Sequence, residues 1–170
     1  MLLSVVIPIY NEARTIAEVI GRVECAVLPE GFEREIIIVN DGSTDSTCET
    51  LAPFEKRHTI IHQKNTGKGG AVRAGFYIAK GDYVIVQDAD LEQNPNDFSM
   101  LLAPLLKDEV DVVFGSRFLG KYLPKALTMS RGFRPEVDAV VVLPEKLIVI
   151  EAKIFKIVDG ISKLPVYASL

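Results

Sequence analysis

The chain has 170 residues, 48% of them hydrophobic and 25% charged, with a formal net charge of −4. That length suits one domain of ordinary size, and that composition excludes a disordered chain. No global basic field favours nucleic acid, which is not expected as a partner. No uninterrupted apolar run reaches the ~20 residues of a membrane helix, and Met1–Pro8 lacks the basic start of a signal sequence. The charge is uneven: residues 1–120 carry −7 and residues 121–170 carry +3. The sign change marks a boundary, with a domain over 1–120 and a tail of different character over 121–170.

Leu3–Ile9 is a continuous apolar run of strand length, as expected of a strand buried on both faces. Asn11–Val27 has helical spacing, with Ile16, Val19, Ile20, Val23 and Val27 on one stripe. Glu35–Val39 is a second buried strand, followed by the polar turn Asn40–Asp45 and a helix running to about Arg57. Thr59–Gln63 is a short third strand. A glycine-rich loop, Asn65–Gly70, then opens a helix through Ile78, and Asp82–Gln87 is the fourth strand. Pro95–Leu106 is helical, with Pro104 expected to end or kink it, and Val110–Phe114 is a fifth strand. Strands alternating with helices at short spacing argue for an α/β fold, a mostly parallel sheet with helices on both faces. Beyond Arg117 the rhythm changes. Val137–Leu143 and Leu147–Ala152, joined by Pro144-Glu145-Lys146, read as a β-hairpin. Cys25 and Cys48 fit no metal or disulfide spacing and are expected to be buried thiols.

Chemistry concentrates at strand ends. Asp88-Ala89-Asp90 follows the fourth strand, and two carboxylates there make a hard oxygen site for a divalent cation that can also hold a diphosphate. Ligands of open α/β sheets sit outside the carboxyl ends of the strands. Asp41, after the second strand, can accept hydrogen bonds from a base or a ribose hydroxyl. The same residues also suit a capped turn. The glycine loop is no Walker motif, because Lys68 is followed by Gly69, and no dinucleotide fingerprint, because it does not follow the first strand. Lys68 could reach an anionic ligand or stay a solvated loop lysine.

In order, SVVIPIYNE, EIIIVNDGSTDST, NTGKGGAVRAGFYIAKGDYVIVQDADLE and DVVFGSRF resemble the inverting family 2 glycosyltransferases of GT-A fold. The nearest pattern is that of the dolichyl- or polyprenyl-phosphate sugar transferases, over residues 3–118. The resemblance implies a UDP- or GDP-sugar donor held through Mg²⁺ or Mn²⁺. It further implies inverting transfer of the sugar to a lipid phosphate at the cytoplasmic face of the membrane. Pro8, Tyr10 and Glu12 would frame the nucleoside, Val39 and Asp41 would lie beside base and ribose, and Asp88 and Ala89 along ribose and diphosphate. Asp90 would be the direct metal ligand, with Asp88 and Glu92 beside it. Arg117 would meet the diphosphate or the acceptor phosphate, making Asp90 and Arg117 the catalytic pair.

The resemblance stops near residue 118, and the tail carries a different pattern. Asp138 before one strand and Glu151-Ala152-Lys153 closing the next resemble part of the PD-(D/E)xK nuclease-like fold. Under that alternative Asp138 and Glu151 would hold a metal and Lys153 would orient water. A tail of other ancestry, and a donor-binding module without transfer, are the remaining alternatives.

Overall fold

The computed structural model describes residues 1–107, 112–114, 139–143, 146–150 and 153–156. Strands β1 (Leu2–Ile9), β2 (Glu33–Asn40), β3 (Thr59–His62) and β4 (Tyr83–Val86) are parallel, and the sheet order is β3-β2-β1-β4-β8-β5. Strand β8 (Lys153–Lys156) runs antiparallel between β4 and β5 (Val112–Phe114). Strands β6 (Ala139–Leu143) and β7 (Lys146–Ile150) form a separate two-stranded antiparallel hairpin. The α/β architecture and the hairpin match expectation, whereas β8 was not anticipated. Its four residues, Lys-Ile-Phe-Lys, are too short and too charged at the ends to read as a strand interior.

Central position explains the apolar run of β1. It pairs with β2 on one side and β4 on the other, and Leu3, Val5, Val6 and Ile7 are fully buried. On one sheet face, Leu3, Val5, Ile7 and Ile9 pack with Ile36, Ile38 and Ile85 against α1 (Ile16–Cys25), α2 (Thr47–Leu51) and α4 (Phe98–Leu106). On the other face, Val6 and Val39 meet α3 (Lys68–Ile78) at Gly75, where an added Cβ would lie 2.4 Å from Val6 Cγ1. Only glycine allows this close approach of helix to sheet.

Three helices differ from the sequence reading. Helix α1 begins at Ile16 rather than Asn11, because Asn11 adopts a left-handed backbone conformation (φ 57) and residues 11–15 form a turn. Helix α2 stops at Leu51, and a 3₁₀ turn, Ala52–Phe54, takes over at Pro53. Helix α4 continues through Pro104 to Leu106, giving up the one i→i−4 hydrogen bond that the missing proline N–H would have made. Cys25 and Cys48 are free and exposed, not buried. Cys25 lies off the buried Ile16-Val19-Ile20-Val23 stripe of α1. No helix among the described residues is long and apolar enough to cross a membrane.

Candidate functional site

Chain direction across the sheet reverses at β1, whose neighbours β2 and β4 lead away on opposite sides. Such a switch point leaves a crevice at the carboxyl ends of the strands. A cleft of about 230 Å³ lies there, lined by Pro8, Ile9, Tyr10, Glu12, Asp41, Lys68, Ala71, Asp88, Ala89 and Asp90. Segments far apart in sequence meet in it because the residues of β1, and those just after β1, β2 and β4, end at the same edge of the sheet, while Lys68 and Ala71 reach it from the start of α3.

The loop after β1 is fastened to the loop after β2. The Asn11 amide donates to Ser43 Oγ at 2.9 Å, and the Thr44 amide donates to Asn11 Oδ1 at 2.8 Å. The Glu12 amide donates to Thr47 Oγ1, and that of Ala13 to Asp45 Oδ2. Asp45 also accepts from the Thr47 hydroxyl and amide. Hydrogen bonds from Thr47 hold its carboxyl below the ordinary value. The brace presents Tyr10 at the lip of the cleft with 48% of its surface exposed. The Glu12 carboxylate turns back to accept from Thr15 Oγ1 at 2.8 Å.

Asp41 is the most tightly held acid of the cleft. It is 3% exposed, and its Oδ1 accepts from Gln63 Nε2 at 2.6 Å, the Thr66 amide at 2.9 Å and Thr66 Oγ1 at 3.1 Å. Burial alone would raise its pKa. The hydrogen bonds from Gln63, Thr66 and Gly67 outweigh burial and leave it below the ordinary value. Asp41 thereby anchors the glycine-rich loop over the cleft. Gly42 follows at φ +75, and a Cβ there would lie 2.8 Å from the Asn65 amide nitrogen.

At the end of β4, Asp88 Oδ1 pairs with Lys68 Nζ at 2.9 Å. Gln93 clamps the rest of Asp88: its Nε2 donates to Asp88 Oδ2 at 2.8 Å, and its Oε1 accepts from the Asp88 amide at 2.9 Å. Ala89 is buried, whereas Asp90 is exposed and accepts the Glu92 amide at Oδ1, 3.0 Å. Leu91 between them has φ 64, a costly conformation for a residue with a branched side chain, and packs against the core cluster.

The cleft thus gathers Pro8, Tyr10, Glu12, Asp41, Asp88, Ala89 and Asp90 of the expected residues. Val39 is fully buried and faces α3 through its Cγ2, so it is not among the lining residues. Arg117, Asp138 and Glu151 lie outside the described residues. Lys153 opens β8, where its backbone pairs with Phe114. Sequence reading missed the clamps Gln63, Thr66 and Gln93 and left Lys68 undecided. No spacing rule pairs residues 68 and 88.

Among the described residues no three His, Cys, Asp or Glu side chains converge as a cation cage. The donor set present, one exposed carboxylate and a second in the same short loop, still fits a magnesium-like cation. Such ions keep several waters and bind through one or two carboxylates plus substrate phosphates.

A mostly parallel sheet with helices on both faces and an acidic cleft at its switch point defines an open α/β domain of the kind that takes ligands outside the carboxyl ends of its strands. The chain belongs to glycosyl transferase family 2, whose family model matches residues 4–154. It is 40% identical over 106 residues to undecaprenyl-phosphate 4-deoxy-4-formamido-L-arabinose transferase of Pseudomonas aeruginosa, covering 59% of this chain and 31% of that protein. The chain therefore spans about a third of that relative's length. Among solved structures, it is similar to a mannosyltransferase from Pyrobaculum calidifontis in complex with GDP-Man and Mn²⁺. That match has 25% identity and TM-score 0.57, covering 67% of this chain and 35% of that one. It is also similar to glucosyl-3-phosphoglycerate synthase from Mycobacterium tuberculosis in complex with Mn²⁺, UDP and glucosyl-3-phosphoglycerate. There the identity is 28% and the TM-score 0.55, covering 65% of this chain and 42% of that one.

Proposed function

We propose that the cleft binds a nucleotide-diphospho-sugar and that the protein transfers its sugar, with inversion, to a polyprenyl-type lipid phosphate. One observation carries the reading: Tyr10, Asp41, Lys68, Asp88 and Asp90 converge on one cleft at the carboxyl ends of β1, β2 and β4. The exposed ring of Tyr10 offers a surface on which a base stacks. Asp41 serves base and ribose as a fixed acceptor, its charge maintained by Gln63 and Thr66. Asp88 and Ala89 line the path of ribose and diphosphate.

Asp90 would hold Mg²⁺ or Mn²⁺, with Asp88 and Glu92 contributing, and the bound ion would neutralise charge developing on the departing diphosphate. Both solved relatives named above carry Mn²⁺ with a nucleotide or nucleotide sugar, which supports a divalent cation of this kind here. They differ in base, GDP in one and UDP in the other, so both are tested.

The Pseudomonas relative is named for undecaprenyl phosphate, which supports a lipid-phosphate acceptor. A phosphate is already ionised at pH 7, so its oxygen attacks the anomeric carbon without a general base. Arg117 would meet the acceptor phosphate or the diphosphate through paired N–H donors. A lipid acceptor would bring the domain to the cytoplasmic face of the membrane as a peripheral protein. Residues 1–120 would form most of the donor-binding unit, and the segment after them is no separate tail, since its strand β8 pairs between β4 and β5 of the same sheet.

Calorimetry with UDP and GDP, with and without Mn²⁺, tests the donor site. One nucleotide is expected to bind with Mn²⁺ present, and Asp90→Ala is expected to remove the Mn²⁺-dependent part. If neither nucleotide binds, or if Asp90→Ala binds as the parent does, the reading fails.

A further inference from the structure

We propose that Lys68 couples the diphosphate to the cation in this cleft. In the free protein its ammonium neutralises Asp88. An incoming diphosphate draws the ammonium away and returns the Asp88 carboxylate to the cation side. The inference rests on the donor-site reading above and gives it an order of events.

Three observations carry it. Lys68 Nζ and Asp88 Oδ1 are 2.9 Å apart, and both residues line the cleft together with Asp90. The partners are unequally held: the Lys68 side chain is 48% exposed and that of Asp88 22%. Gln93 keeps Asp88 in place through Oδ2 and the backbone amide, so withdrawing Lys68 changes the partner of Oδ1 and nothing else. Lys68 is therefore the movable member. It stands at the first position of α3, after Gly67 at φ +81, on a flexible four-carbon stem.

The consequence is electrostatic. A cation arriving alone meets Asp88 already neutralised and a positive ammonium beside it. A diphosphate arriving alone meets the carboxylates of Asp88 and Asp90. Together, the diphosphate takes the ammonium and the cation takes the carboxylates, so each ligand removes the penalty the other faces. By linkage each must then raise the other's affinity by the same factor.

Mn²⁺ binding is measured by the electron paramagnetic resonance signal of the free ion, alone and with saturating UDP or GDP. The proteins are the parent, Lys68→Met and Lys68→Arg, with circular dichroism confirming the fold. In the parent, nucleotide is expected to tighten Mn²⁺ binding by at least about tenfold, inside the ~5–150-fold span usual for coupled sites. Lys68→Met is expected to bind Mn²⁺ alone about fivefold or more tighter and nucleotide more weakly, and to bring the coupling factor below about threefold. Lys68→Arg is expected to keep most of the coupling. A folded Lys68→Met with the parent's coupling factor overturns the exchange and leaves the donor site standing. A parent that binds neither nucleotide at any Mn²⁺ concentration overturns both.

Discussion

Asp41→Asn is the perturbation most directly sized by the structure. The carboxylate is 3% exposed, and one oxygen accepts three hydrogen bonds, at 2.6, 2.9 and 3.1 Å, from Gln63 and Thr66. Asparagine preserves shape and one acceptor oxygen but removes the charge. A hydrogen bond to a charged group contributes about 1.5–3 kcal/mol and a neutral one about 0.5–1.5. The loss is then about 1 kcal/mol per bond, or ~2–3 kcal/mol with the longest counted lightly. For a domain of this size that lowers Tm by about 4–12 °C, at ~2–4 °C per kcal/mol.

The pH dependence has a fixed sign. The folded pKa of Asp41 lies below its ordinary 3.8, so the contribution is fully present above 3.8 and is lost as pH falls through the folded value. Urea denaturation of parent and variant should give curves well separated at pH 7 and converging as the medium is acidified below 3.8. A gap below about 0.5 kcal/mol at pH 7, or one that does not shrink in acid, would refute the account of how Asp41 is held.

Two further outcomes follow from packing. Gly75→Ala should cost about 1–3 kcal/mol by overpacking against Val6, whereas Gly21→Ala, with nothing within 4 Å of an added Cβ in the middle of α1, should gain about 0.5–1 kcal/mol. Paired thermal denaturation reads both, and equal signs would contradict the helix–sheet contact. Cys25 and Cys48 are both exposed, so two thiols should react with Ellman's reagent in the native protein at rates unaffected by mild denaturant. Reaction only after unfolding would return both to the interior.

Legibility in the sequence followed burial. Strands β1, β2 and β4 are buried in the sheet, so their positions show as apolar runs, and the acids one to four residues beyond them fall on the crevice. Helix starts were harder to read. Residues 11–15 suit helical spacing, yet Asn11 turns left-handed and is tied to Ser43 and Thr44, contacts more than 30 residues away that no local propensity registers. Strand β8 escaped for a related reason: its place between β4 and β5 is fixed by pairing, not by its own pattern. Lys68 read equally well as a loop lysine, because its role comes from Asp88, twenty positions on. The exposure of Cys25 was available, since it falls off the apolar stripe of its own helix.

The two sides of the cleft are held in different ways, and this bears on how it would select a ligand. On the β2 side, Asp41 is buried, triply bonded and joined to the loop brace of Asn11, Asp45 and Thr47. A group docking there meets acceptors already in place and demands little ordering on binding. On the β4 side, Asp90 is exposed, Leu91 is strained, and Lys68 sits half exposed on a flexible stem. That side can change partners cheaply. Under the proposed function, discrimination among bases would therefore belong to the rigid side, and response to the charge of the diphosphate to the adaptable one. Loosening the brace by Asn11→Ala should blur the preference between UDP and GDP, whereas Lys68→Met should weaken both nucleotides by a similar factor. The opposite pattern would reverse the assignment of the two sides.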